Sequence, residues 1–403
     1  MIDDAQYAPT APQPAATRDG VPLAPLAGGF LPPYTERLHL LADLPAPTPE
    51  AITAAIAMAA GDAVSQKASD RSETSTDDPD NAGSDDSSMT GAPSDGRTAA
   101  ALEATRAMDA WSAPFGDPED THSTVEDRRI EGPHGPIPLR IYRPEPGWTA
   151  PAPSPADDGR RAGLVWYHGG AFVAGDLDMP EADAVARGIV TRTGTTVVSV
   201  FYRLCNDGAT HHPVPHDDAC AAFRWTSAHA AGLGIDPARL AVGGASAGGC
   251  LAAGVALRGR DDGAVPWQAL LAYPVLHAEH WPAPSEELAD RLEEMPQVLR
   301  FPADVMAALN TNLLGGPVRD VPAHAFPGEA ADLAGYPPTY IENCENDDLR
   351  ASGEAFARRL AAAGADVECV TCAGVPHGHL NAVGSPLTAR SLDRFAARLA
   401  RAQ

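Results

Sequence analysis

From about residue 126 onward, short apolar runs alternate with stretches whose apolar positions recur every three and four residues. The first pattern belongs to buried strands and the second to amphipathic helices. The segments PIPLRIYRP, AGLVWYHG, TTVVSVFYR, RLAVGGAS, QALLAYPVL, PPTYIENC and VECVTCAG read as strands. Most are separated by helical stretches: EADAVARGIVTRT, HDDACAAFRWTSAHAAG, AGGCLAAGVALRG, GEAFARRLAAAG and TARSLDRFAARLARA. Such alternation predicts an α/β fold with a mostly parallel sheet and helices on both faces. Upstream, YTERLHLLADL, PEAITAAIAMAA and ALEATRAMDAWSA carry a helical rhythm and read as pieces of one small helical subdomain. The expected organisation is a disordered start (1–20), a helical cap region (21–125) and one large α/β domain (126–403). Residues 62–98, acidic, Ser-rich and nearly free of large apolar side chains, are expected to interrupt the cap region as a disordered insert.

Composition narrows the class of partner. The chain has 403 residues, 44% of them hydrophobic, and a formal charge of −25 from 54 acidic and 29 basic residues. That balance gives no electrostatic support to nucleic-acid or anionic-membrane binding. The first residues have neither a basic nor an apolar leader region, and no run approaches the 18 or so apolar residues of a membrane span. A cytoplasmic protein is expected, and the oligomeric state is left open, a homodimer included. Six cysteines scattered through apolar segments read as reduced core thiols. Cys369 and Cys372 form a lone CxxC inside a predicted strand, and no second pair completes a zinc site.

The sharpest chemical signal is LAVGGASAGGCLAAG. An apolar strand runs into Gly244, Ala245, Ser246, Ala247 and Gly248, and a small-residue helix follows at once. This is a GxSxG nucleophile elbow in its proper context: the serine occupies a strained turn, and only residues without bulk fit beside it. A serine hydroxyl is a weak nucleophile and needs a histidine to take its proton and a carboxylate to orient that histidine. His377, in VTCAGVPHGHL just past the last strand, is the candidate base, with His379 as competitor. The acid is expected at the end of PPTYIENC, where Glu345, Asp347 and Asp348 all offer a carboxylate. Helix capping is the alternative role for at least one of them, and spacing alone does not choose. VWYHGGAF places His168, Gly169, Gly170 and Ala171 after another strand. Backbone N–H groups there, with that of Ala247, can form an oxyanion hole.

These motifs, in this order, resemble the hormone-sensitive-lipase-like esterases, the bacterial family IV esterases of α/β-hydrolase fold-3. HGGAF is similar to that family's HGGG-type oxyanion loop; FYRL with PVPHDDACAAFRW, GGASAGG, NDDLRASGEAFARRL and HGH match its later segments. The resemblance implies an α/β-hydrolase fold with a mostly parallel eight-stranded sheet and a small N-terminal helical cap. It selects Asp347 as the acid, because that residue lies two before Leu349 and three before Arg350. Three departures stand out: Ala171 replaces the usual third glycine, FYRLCNDGATHHPVPHDD is longer and more polar than usual, and His379 stands where an aromatic normally follows. His211, His212 and His216 in that longer segment are expected on a solvated loop.

The implied chemistry is two-step acyl transfer on a small ester, of short-chain acyl or acetyl type. Ser246 is the nucleophile, His377 the base and Asp347 the orienting acid. Gly169, Gly170, Ala171 and Ala247 form the oxyanion hole, with Gly169 also shaping the turn, and His168 braces the loop. No cofactor or metal is expected. The alternatives are an amidase or peptidase on the same triad and a non-catalytic hydrolase-like receptor, the latter disfavoured because every triad position is filled.

Overall fold

The computed structural model describes residues 17–18, 21–22, 29–54, 56, 97–152 and 160–401. Most of the predicted insert 62–98 and of the predicted disordered start lies outside these residues. Eight strands form one sheet: β1 (Ser123–Ile130), β2 (Ile137–Pro144), β3 (Arg161–Tyr167), β4 (Thr196–Val200), β5 (Ile235–Ala245), β6 (Ala269–Ala272), β7 (Thr339–Asn346) and β8 (Val367–Pro376). Their order across the sheet is β8-β7-β6-β5-β3-β4-β2-β1. β3 to β8 are mutually parallel, and β2 and β1 join antiparallel at one edge.

The central strands are apolar without alternation because both faces of the sheet are covered. Successive residues of β3 belong to different cores: Val165 and Tyr167 pack on one side, Leu164 and Trp166 on the other. The period of two along a strand produces this division. The first core takes in α3 (Val214–Ala228), α4 (Ala247–Asp262) and α7 (Arg350–Ala362) through Cys220, Leu251 and Phe356. The second takes in α2 (Pro180–Thr193) and α8 (Pro386–Leu399) through Val185 and Phe395. Parallel strands bring their carboxyl ends to one edge, where α/β folds place their ligands. The loops after β3, β5, β7 and β8 all open there.

The N-terminal helical pieces are tied to that same edge. Tyr34, in a single turn (Tyr34–Arg37), packs its ring 5.7 Å from Trp111 at the end of α1 (Arg97–Ser112) and 5.1 Å from Phe115. Arg37 lies over Phe115 and donates to the carbonyls of Trp111 and Pro114. The backbone N–H groups of Leu31 and Phe115 donate to Gly374 and Val383, on either side of His377.

Two parts of the fold depart from the sequence reading. β1 starts at Ser123, ahead of the expected domain boundary, and its sequence STVEDRRI carries no apolar run because it is a largely exposed edge strand. Between β6 and β7 the chain forms α5 (Glu286–Glu294) and α6 (Ala303–Leu314), which the sequence reading did not include. In α5 only Leu288 and Leu292 are buried, so its sequence is dominated by charge. None of the described helices is long and apolar enough to cross a membrane.

Candidate active site

Ser246 stands between β5 and α4 at φ 54°, ψ −117°. A non-glycine residue at positive φ is strained and persists only where its surroundings fix it. Here its N–H donates to the Ala272 carbonyl, and its own carbonyl accepts from Cys250 and Val275. A Cβ on Gly244 or Gly248 would collide with backbone oxygens, those of Gly248 and Tyr167 in the first case and those of Tyr167 and His168 in the second. Both positions therefore require glycine for space.

His377 follows β8. Its Nε2 lies 2.9 Å from Ser246 Oγ and its Nδ1 lies 2.8 Å from Asp347 Oδ2. The carboxylate can only accept, so Nδ1–H donates to it and leaves Nε2 as the acceptor of the serine proton. Asp347 is 1% exposed and Ser246 8% exposed, so the chain of hydrogen bonds is largely withdrawn from water. Burial opposes the imidazolium, but the charge of Asp347, the hydrogen bond to it and the farther charges of Glu181 and Asp348 outweigh it. The His377 imidazole is raised above its ordinary value.

The three candidate acids separate cleanly. Asp348 pairs with Arg300, Oδ1 2.9 Å from Nη2, and accepts the N–H of Phe301. Glu345 accepts from Gly374 and pairs with Arg291. None of the three provides a side-chain cap to α7, contrary to the expectation for at least one of them. His379, the competing base, is buried away from the serine, with Nε2 2.8 Å from Ser391 Oγ and Nδ1 3.3 Å from Cys344 Sγ.

In the loop after β3, the N–H groups of Gly170 and Ala171 have no protein acceptor among the described residues, and neither has that of Ala247. Ala171 and Phe172 both hold positive φ, 54° and 64°. Gly169 departs from its assignment to the oxyanion hole: its N–H already donates to Glu181 Oε1 at 2.6 Å. Its absent side chain also matters, because a Cβ there would collide with that carboxylate and crowd Ser246 Cβ. His168 is fully buried, stacks 4.5 Å from the Tyr202 ring and has Nδ1 2.7 Å from the Gly169 carbonyl. Burial lowers its pKa, which keeps it neutral beneath the loop.

The profile of the alpha/beta hydrolase fold family matches residues 164–381, from the strand before the oxyanion loop to the turn after His377. The chain belongs to that family. Within it, the chain is one of the hormone-sensitive-lipase-like esterases. Esterase LipI of Mycobacterium tuberculosis is 36% identical over 265 residues, covering 64% of this chain and 76% of that protein. Carboxylesterase NlhH of Mycobacterium tuberculosis is 38% identical over 273 residues, covering 66% and 78%. Among solved structures, a hyperthermophilic esterase from the archaeon Pyrobaculum calidifontis superposes with a TM-score of 0.60 at 32% identity, covering 70% of this chain and 86% of that one.

Around this α/β-hydrolase site stand residues that the sequence reading passed over. Glu181, in the first turn of α2, is 2% exposed; Tyr273, after β6, is 1% exposed and sets its ring edge-on to His377 at 4.9 Å. Phe301 sets its ring against His377 at 4.8 Å. Glu181 carries no sequence signal beyond an acidic residue at a helix start, which normally complements the helix dipole at the surface. The histidines of the longer segment also differ from expectation. His216 lies on α3 and is buried, with Nε2 3.2 Å from the Ala325 carbonyl, and its ring faces the half-buried His212. His211 is half-buried as well, with Nδ1 2.7 Å from the Asn312 carbonyl. Burial, aided by His212, lowers His216 to about 3.

Among the described residues, Glu342, Cys372 and His379 are the one group close enough to share a metal ion. The Arg394 guanidinium already donates to Glu342 Oε2 and to Cys372 Sγ, each at 2.7 Å. A cation there would meet a cation, and the arrangement fits a neutralised core ion pair.

Proposed function

We propose that Ser246, His377 and Asp347 are the nucleophile, general base and orienting acid of this carboxylic ester hydrolase. The observation that carries this reading is the pair of contacts that joins the three side chains, 2.9 Å and 2.8 Å long. His377 takes the proton as Ser246 Oγ attacks the ester carbonyl, and the alkoxide forms beside the N–H groups of Gly170, Ala171 and Ala247. Asp347 stabilises the imidazolium, which then protonates the departing alcohol. Water, activated by the same histidine, attacks the acyl-enzyme and restores Ser246. Each N–H aimed at the oxyanion is worth on the order of 100-fold or more in rate.

The substrates are small esters, and we assign short-chain acyl or acetyl groups to the acyl side. The near-complete burial of Ser246 and the Phe301 ring set against His377 at 4.8 Å support a confined acyl position. The six cysteines are free thiols, which supports a reducing, cytoplasmic setting. The test is a p-nitrophenyl ester series from acetate to palmitate, run with the parent protein and Ser246→Ala. The expected result is activity that peaks at short chains and vanishes in the variant. No turnover of any chain length by the parent would move the reading to amide substrates or to a non-catalytic receptor.

A further inference from the structure

A second buried carboxylate lies beneath the triad. Glu181 Oε1 accepts the N–H of Gly169; Oε2 accepts the Tyr273 hydroxyl at 2.8 Å and Asn381 Nδ2 at 3.1 Å. Its own backbone is held as firmly, with its N–H donated to Asn381 Oδ1 and its carbonyl accepting Trp166 Nε1. These partners belong to three different parts of the site. Gly169 begins the oxyanion loop, Asn381 sits in the turn after His377 and also donates to the Gly378 carbonyl, and Tyr273 packs its ring on His377. All three side-chain contacts donate to the carboxylate, the arrangement an ionised carboxylate requires.

We propose that Glu181 is a positioning residue of the hydrolytic reaction: it locks the oxyanion loop to the histidine turn and supplies a second negative charge that favours the His377 imidazolium. By taking the Gly169 N–H, it turns that group away from the oxyanion and fixes the peptide from which the Gly170 and Ala171 donors follow. By holding Asn381 and Tyr273, it fixes the turn and the ring against which His377 rests. The inference rests on the triad reading above.

The titratable and charged groups facing this pair are few. Asp347 and Asp348 face His377 from the loop after β7, with Asp348 already paired to Arg300. Tyr273 faces both Glu181 and His377, and Tyr202 approaches Glu181 from the loop after β4. Burial raises the Glu181 carboxyl above its ordinary value against the opposing effect of its donors and of His377, and Glu181 in turn raises His377.

The experiment is the pH profile of kcat/KM on p-nitrophenyl acetate for the parent, Glu181→Gln and Glu181→Asp, with thermal melting to confirm folding. Glu181→Gln keeps the size and removes the charge. It is expected to lower kcat about 10- to 100-fold with KM little changed, and to move the acid limb down by about half a pH unit or more. Glu181→Asp retains the charge, so its acid limb stays near the parent's even where kcat falls. An acid limb for Glu181→Gln superimposable on the parent's, whatever happens to kcat, overturns the proposal. Should that variant not fold, Asn381→Leu cuts the link between turn and carboxylate. A kcat at least several-fold below the parent's is expected, and one within twofold of it overturns the positioning role. Ser246→Ala in parallel isolates the underlying reading: activity that survives there contradicts the triad, independently of Glu181.

Discussion

Asp347 and Asp348 are adjacent carboxylates of equal chemistry with different partners, His377 for the first and Arg300 for the second, so their amide variants should fail differently. Asp347→Asn keeps the shape and can keep the contact from Leu349 N–H to Oδ1, 2.9 Å in the parent. It removes the acceptor for His377 Nδ1–H. An amide N–H facing Nδ1 forces the other tautomer, in which Nε2 carries the proton and cannot take that of Ser246. The expected loss is on the order of 10⁴ in kcat, or about 5.5 kcal/mol at about 1.36 kcal/mol per tenfold. Because Asp347 is the chief influence raising His377, whatever activity remains should titrate at lower pH. Asp348→Asn loses half of a two-point pair with Arg300 and weakens the contact to Phe301 N–H. Both partners are mostly shielded from water, so the cost falls on stability, about 1–3 kcal/mol, with kcat reduced less than about tenfold. Steady-state hydrolysis of p-nitrophenyl acetate from pH 5 to 9, with urea melts of each variant, separates the two. A larger loss of kcat in Asp348→Asn than in Asp347→Asn would refute the assignment.

Other perturbations test the surrounding structure. Gly248→Ala drives a Cβ into the backbone oxygens of Tyr167 and His168; a stability loss of about 3 kcal/mol is expected in denaturant melts, together with loss of activity. The parent's kcat/KM should fall as acid protonates His377, with a midpoint above about 6.5 because that imidazole is raised; a midpoint below 6 in a stopped-flow or plate assay contradicts this. Burial lowers His277 to about 4, so the unfolded chain binds a proton there near pH 6.5 while the folded chain does not. Stability is therefore lost as pH falls below about 6.5, on the order of 2 kcal/mol by pH 5. His277→Asn should remove about that much of the drop between pH 7 and pH 5 in urea melts.

Much of this site was legible in the sequence because its demands are local. The elbow needs glycine at 244 and 248 for clearance, the oxyanion loop needs free N–H groups after a strand, and a central strand buried on both faces must be apolar throughout. Such demands leave contiguous marks, and LAVGGASAGG and VWYHGG carry them. What joins distant segments leaves none. Glu181 and Asn381 are 200 residues apart, and neither position differs from an ordinary polar residue until the fold brings them together. Gly169 was assigned with its neighbours because a run of glycines does not reveal which N–H is already engaged. α5 escaped because it buries only Leu288 and Leu292 among its charges, and β1 because an exposed edge strand needs no apolar run; α6 buries Val305, Met306, Leu309 and Leu313 and was simply passed over. The choice among Glu345, Asp347 and Asp348 was likewise closed to spacing. It turns on which carboxylate faces His377 and which are taken by Arg291 and Arg300.

The central claim is that Ser246 becomes acylated. Incubation with a p-nitrophenyl alkylphosphonate, which stops at the covalent stage, followed by mass spectrometry of the digested protein, reads this directly. The account predicts one adduct per chain, carried on Ser246, at a rate that falls as His377 protonates, and none in Ser246→Ala. Stoichiometric labelling of any other residue, or an unlabelled Ser246 in protein that still hydrolyses p-nitrophenyl acetate, would contradict it.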